Sequence, residues 1–86
     1  MTKNDIVYYS ESRVPLSLRN LCLYYGKDMK DIFDAVRASN DFPELTERLR
    51  TVISEKFAVD RVRDKYIRYV IIDSFGNKQY LKISIK

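Results

Sequence analysis

Residues 65–86 constrain this chain more than any other stretch. The runs Lys65-Tyr-Ile-Arg-Tyr-Val-Ile-Ile72 and Gln79-Tyr-Leu-Lys-Ile-Ser-Ile-Lys86 alternate in character and flank Asp73-Ser74-Phe75-Gly76-Asn77. Alternation with period two, rich in β-branched and aromatic residues, is the signature of paired strands. Aspartate at the first turn position and glycine at the fourth suit a type I turn followed by a G1 bulge, with Gly76 taking positive φ. Such a turn pairs Asp73 with Asn77 and thereby sets the register of the hairpin. Counting outward, one face carries Ile71 with Gln79, Tyr69 with Leu81, and Ile67 with Ile83. The other carries Ile72 with Lys78, Val70 with Tyr80, Arg68 with Lys82, and Tyr66 with Ser84.

The first face is a ready-made core. The second sets Arg68 directly across from Lys82, a like-charge pair that is unfavourable in a sheet by a few tenths of a kcal/mol, on the order of cross-strand pair energies. Cations interleaved with Tyr66 and Tyr80 form a platform suited to a polyanion, with charges for phosphates and rings for sugars or bases. That use requires the face to be open. If the N-terminal strand region covers it, Arg68 and Lys82 simply extend their charged ends to water.

The rest of the chain supplies helices to cover the core face. Ile6-Val7-Tyr8-Tyr9-Ser10 reads as a short strand, and Glu11 to Val14 connects it to Pro15. From Ser17, Leu18, Leu21, Cys22 and Tyr25 recur with helical spacing. Gly26 stands where a left-handed residue would end that helix. Asp28 is placed to cap a second helix, whose buried stripe is Met29, Ile32, Phe33 and Val36, and Ser39-Asn40-Asp41 breaks it. A third begins with Asp41 as N-cap, Pro43 in the first turn and Glu44 completing a capping box. Its apolar face is Phe42, Leu45, Leu49, Val52, Ile53 and Phe57, and residues 58–64 then carry the chain across to the sheet. The expected fold is α+β: a three-helix cluster packed on a small antiparallel sheet built on the C-terminal β-hairpin, with residues 6–10 as a further strand. With 86 residues the chain makes one domain. A core of this size buries roughly 60% of the unfolded chain's surface.

Absences narrow the chemistry. There is no histidine, so neither a Ser-His-Asp triad nor a Cys-His dyad can be assembled within one chain. Cys22 is the only cysteine, which leaves no internal disulfide and no cysteine-rich zinc site; it reads as a small core residue. Gly26 and Gly76 are the only glycines, too few and too far apart for a phosphate-binding loop. No metal, cofactor or catalytic residue is expected. No apolar run approaches the ~18 residues of a membrane span, and Met1-Thr2-Lys3-Asn4-Asp5 does not open like a signal peptide, so a cytoplasmic protein without a membrane partner is expected.

Charge is divided unevenly. The net charge is +4, yet residues 1–55 hold eight basic and nine acidic residues, whereas residues 56–86 hold eight basic residues against Asp60, Asp64 and Asp73. The positive field therefore belongs to the last third of the chain and favours a polyanionic partner. The candidate nucleic-acid-binding residues are Arg61, Arg63, Lys65, Tyr66, Arg68, Lys78, Tyr80 and Lys82, with DNA favoured and a small, non-enzymatic regulatory protein as the role. The competing reading is a protein-interaction module docking through the hairpin edge and Phe75, the one aromatic the turn does not require. The doublets Tyr8-Tyr9 and Tyr24-Tyr25 cannot both point inward, so one ring of each is exposed or serves self-association as a homodimer.

Residues 18–36 also resemble a helix-turn-helix. With Leu18 as the first position, Leu21 and Cys22 are fourth and fifth, Gly26 ninth, Ile32 fifteenth and Ala35 eighteenth. In that motif a small residue lets the second helix approach, the glycine makes the turn, and the branched residue locks the recognition helix. The resemblance implies DNA binding, but Asp28, Asp31 and Asp34 depart from it, because carboxylates near phosphates are costly. Helices followed by a basic hairpin also resemble a winged-helix arrangement, with one helix too many before the wing. The hairpin itself is similar to the sheet of the arm-type DNA-binding domains of tyrosine recombinases, whose side chains enter the DNA groove; here the helices precede the hairpin instead.

Overall fold

The computed structural model describes residues 4–85. Lys3 and Lys86, both counted in the charge asymmetry, lie outside the described residues, as do Met1 and Thr2. The elements run β1 (Asn4–Ser10), α1 (Leu18–Ala38), α2 (Phe42–Val52), β2 (Ala58–Val62), β3 (Tyr66–Ile72) and β4 (Lys78–Ile85). All four strands form one antiparallel sheet in the order β1-β4-β3-β2. Among the described residues no helix is long and apolar enough to cross a membrane.

The hairpin follows the register set by its turn: Ile67 faces Ile83, Arg68 faces Lys82, Tyr69 faces Leu81 and Val70 faces Tyr80. Gly76 takes φ 82. The Asp73 carboxylate accepts the backbone N–H groups of Phe75 (2.9 Å) and Asn77 (2.8 Å), which holds the turn closed. On the core face Ile67, Tyr69, Ile71, Leu81 and Ile83 are buried. Leu21, Met29 and Ile32 from α1 and Leu45 and Leu49 from α2 belong to the same cluster. Each of these large side chains contributes roughly 1.5–3 kcal/mol through removal from water.

The α+β class holds, but the three-helix cluster does not: there are two helices. Residues 18–38 are one helix, interrupted only where Gly26 takes φ 40, ψ −107. Leu21, Tyr25, Met29, Ile32 and Val36 continue at spacings of three and four through the glycine, so both halves present their apolar stripe to the same core. Gly26 is a kink at which helical geometry is lost, as its residue type and place in the sequence predict, but the two helical halves run on as a single element, and Asp28 lies at the start of the second half. The stretch resembling a helix-turn-helix therefore lies wholly within α1. Helix α2 begins as expected, with the Asp41 side chain accepting Glu44 N–H at 2.9 Å. It ends at Val52, and Phe57 reaches the core from the following loop, its ring 4.9 Å from that of Tyr25.

Two further corrections concern the sheet. Residues 58–62 are a strand and not a connection; β2 pairs with β3 through a bulge at Asp60, the extra residue between the pairs Val59–Tyr69 and Arg61–Arg68. With β1 on one side and β2 on the other, both hairpin strands are paired along both edges. The hairpin thus has no free edge for a partner to extend, and the outer edges belong to β1 and β2.

Candidate functional site

Both helices contribute to the core face, so the opposite face of the sheet is uncovered. Strand β1 joins the sheet edge to edge with β4 instead of lying across it, and on that open face Val7 and Ile72 remain 45% and 62% exposed. Besides the pair Ile72–Lys78 at the turn end of the hairpin, side-chain alternation places three rows there. One runs Val7, Lys82, Arg68, Arg61; the next runs Tyr9, Tyr80, Val70, Ala58; the third holds Asp5, Ser84 and Tyr66.

The middle of the face is internally satisfied. Arg68 Nε donates to Asp60 Oδ2 at 2.6 Å and Nη1 to the Tyr9 hydroxyl at 3.3 Å. The hydrogen bond to Tyr9 is the largest influence holding the Arg68 pKa above its ordinary value; desolvation opposes it and the Asp60 contact adds to it. The guanidinium carbon also lies 5.0 Å from the centroid of the Tyr80 ring, which stacks on Tyr9 at 5.5 Å. Cation–π contacts of this kind contribute roughly 0.5–1 kcal/mol at exposed sites, enough to offset the opposed charges of Arg68 and Lys82. Tyr80 is thus occupied by protein neighbours, and the charge of Arg68 is already met by a carboxylate.

Toward the β2–β3 turn the balance reverses. Lys82 Nζ stands 4.5 Å from the Tyr66 ring centroid. Arg61 and Arg63 sit at the Tyr66 phenol: desolvation pushes its pKa up, but hydrogen bonding and charge from the two arginines outweigh that and the net direction is down. Among the described residues no carboxylate lies within ion-pair distance of Arg61, Arg63, Lys65 or Lys82. Asp64 in the adjoining turn and Asp5 on β1 are the other acids at this end of the sheet.

The eight sequence candidates therefore separate. Arg61, Arg63, Tyr66 and Lys82 come together, with the exposed Lys65 next to Tyr66 in the chain. Arg68 and Tyr80 form the satisfied centre. Lys78 lies at the far end of β4, about 13 Å along the strand from Lys82, where it borders a cleft with Glu11 and Asp73. Sequence reasoning missed Asp60 and Tyr9, which decide the state of Arg68. The valines at 59 and 62 were a signal for a strand, but the bulge breaks their alternation and hides it.

Among the described residues no group of three or more Cys, Asp or Glu side chains could hold a metal ion. No protein-family model matches the chain, and neither a curated protein nor a solved structure matches it.

Proposed function

We propose that this protein binds nucleic acid through the open sheet face, DNA in preference, as a small non-enzymatic regulatory protein of the cytoplasm. The carrying observation is the gathering of Arg61, Arg63 and Lys82 around Tyr66 with, among the described residues, no carboxylate within ion-pair distance of these three cations. Cations gathered without counterions raise the local potential, and a phosphate backbone relieves it. In this reading Arg61, Arg63 and Lys82 neutralise phosphates, the Tyr66 hydroxyl hydrogen-bonds a phosphate or sugar oxygen, and Lys65 and Lys78 make outer contacts. Tyr80 holds Arg68 in place behind them. Contacts of this type go to the backbone and carry little base preference.

The test is a titration of duplex and single-stranded DNA across salt concentrations. Neutralising three to five phosphates makes affinity fall tens- to hundreds-fold between roughly 50 and 200 mM salt. Arg61→Glu combined with Lys82→Glu, checked for folding by circular dichroism, should abolish binding. Affinity indifferent to salt, or unchanged in the double variant, would put protein docking at Phe75 ahead of this reading.

A further inference from the structure

A second surface lies apart from the basic cluster, where the hairpin tip meets the first half of α1. A cleft of about 430 Å³ opens there, walled by Tyr8, Tyr24, Tyr25 and Phe75 and bordered by Lys56 and Asp73. The walls are uneven in a specific way. Tyr8 is buried and Tyr25 half-buried, and desolvation is the main cause holding both phenols above their ordinary pKa. Phe75 and Tyr24 instead stand 88% and 85% exposed. The hairpin turn does not need the Phe75 ring, because it closes through backbone hydrogen bonds and the Asp73 carboxylate, which takes only the Phe75 N–H.

We infer that this surface is a self-association site, in which two copies of the chain dock about a two-fold axis with the projecting Phe75 and Tyr24 of each against the cleft of the other. Three observations select a second copy as the occupant. A projecting ring and a receiving cleft lie side by side on one surface, which is the self-complementarity that a two-fold interface requires. The border holds one cation and one anion, so a two-fold rotation can bring Lys56 of each copy toward Asp73 of its partner. Elsewhere the chain's net charge of +4 makes two copies repel, and this patch is nearly neutral.

Area sets the strength. Two exposed aromatic rings bury on the order of 300–500 Å² per copy when covered. Adding Ile72, itself 62% exposed and on the cleft lining, brings the total across both copies to about the lower bound for a specific interface, on the order of 1,000 Å². The association is therefore weak, with half-dimerisation in the micromolar range, and it is independent of the nucleic-acid reading because it uses other residues.

Sedimentation equilibrium of the whole chain from about 5 to about 500 µM, bracketing dissociation constants expected of a small interface, tests it. The weight-average mass should climb from the monomer toward twice that value, and should do so in high salt as well as low. Phe75→Ser and Tyr24→Ser, both at positions too exposed to matter for folding, should each shift the midpoint at least about tenfold upward. A wild-type mass that stays monomeric over the whole range would overturn the inference. So would self-association that both variants leave unchanged, since the contact would then lie elsewhere.

Discussion

Arg68 is held by Asp60, the residue that the bulge in β2 leaves without a cross-strand partner; Arg68 Nε lies 2.6 Å from Asp60 Oδ2. A bulge turns its extra residue out of the ladder, and here it brings a carboxylate onto the row Arg61–Arg68–Lys82. One of three adjacent cations is thereby neutralised within the protein. The pair is part-exposed, so its own contribution to stability is modest, up to about 1 kcal/mol. Its larger effect is on what the face presents to a ligand.

Removing that carboxylate should strengthen binding. Asp60→Asn is expected to raise DNA affinity several-fold and to steepen the log–log salt dependence by about one unit, the increment for one more phosphate contact. Protein stability should fall by no more than about 1 kcal/mol. Fluorescence titration at several salt concentrations measures both quantities. Weaker binding in Asp60→Asn would show that Arg68 must be positioned by Asp60 to act at all.

Tyr66 should be a reporter of the site. Its phenol is expected to ionise below the ordinary value of about 10, because Arg61 and Arg63 favour the phenolate despite desolvation. Bound phosphate shares those arginines, so saturating DNA should move the Tyr66 pKa upward. By the same linkage, affinity should drop as pH rises through the free-protein value. NMR titration of the Tyr66 ring carbon with and without DNA reads this directly. An identical pKa in the two states would place the DNA elsewhere.

Tyr69 is shifted in the opposite direction to Tyr66 and makes stability, not affinity, depend on pH. It is 2% exposed, and burial pushes its pKa up to about 12. The unfolded phenol ionises near 10, so between these values the unfolded chain loses a proton that the folded chain keeps. Stability from this residue is therefore complete below pH about 10 and is lost as pH rises through about 12, a change of roughly 3 kcal/mol. Urea unfolding at pH 8 to 11 should show the decline, and Tyr69→Phe should flatten it. A variant with the wild-type slope would assign the effect to other groups.

Gly26 should resist substitution for a backbone reason alone. A Cβ built there meets nothing within 4 Å, yet φ is 40 and ψ is −107, a conformation that L side chains rarely adopt. Gly26→Ala is expected to cost roughly 1–3 kcal/mol and to lower the thermal midpoint accordingly. If the variant were instead more stable, α1 could straighten through position 26 without losing its packing, since alanine in a regular helix is preferred to glycine by roughly 0.5–1 kcal/mol.

Much of this molecule was legible in one dimension because the forces involved are local. The turn Asp73–Asn77 closes on its own backbone, and the hairpin register with every cross-strand pair followed from it, including Arg68 against Lys82. The capping of α2 by Asp41 is likewise settled within four residues. Three other features depended on distant partners. Gly26 breaks helical geometry as its residue type predicts, but that the two halves continue as one kinked element depended on a core that accepts the stripe on both sides of it. Residues 58–62 have no buried face of their own and are a strand only because β3 offers them an edge, with the bulge masking their alternation. The state of the open face rests on where β1 attaches. It joins β4 edge to edge, brings Tyr9 to Tyr80 and Arg68, and leaves the row of cations uncovered. Residue order specifies turns, caps and faces because those interactions span a few peptide units, whereas sheet order and the pairing of Arg68 with Asp60 and Tyr9 arise only once segments far apart in the chain compete for the same edge and the same charge.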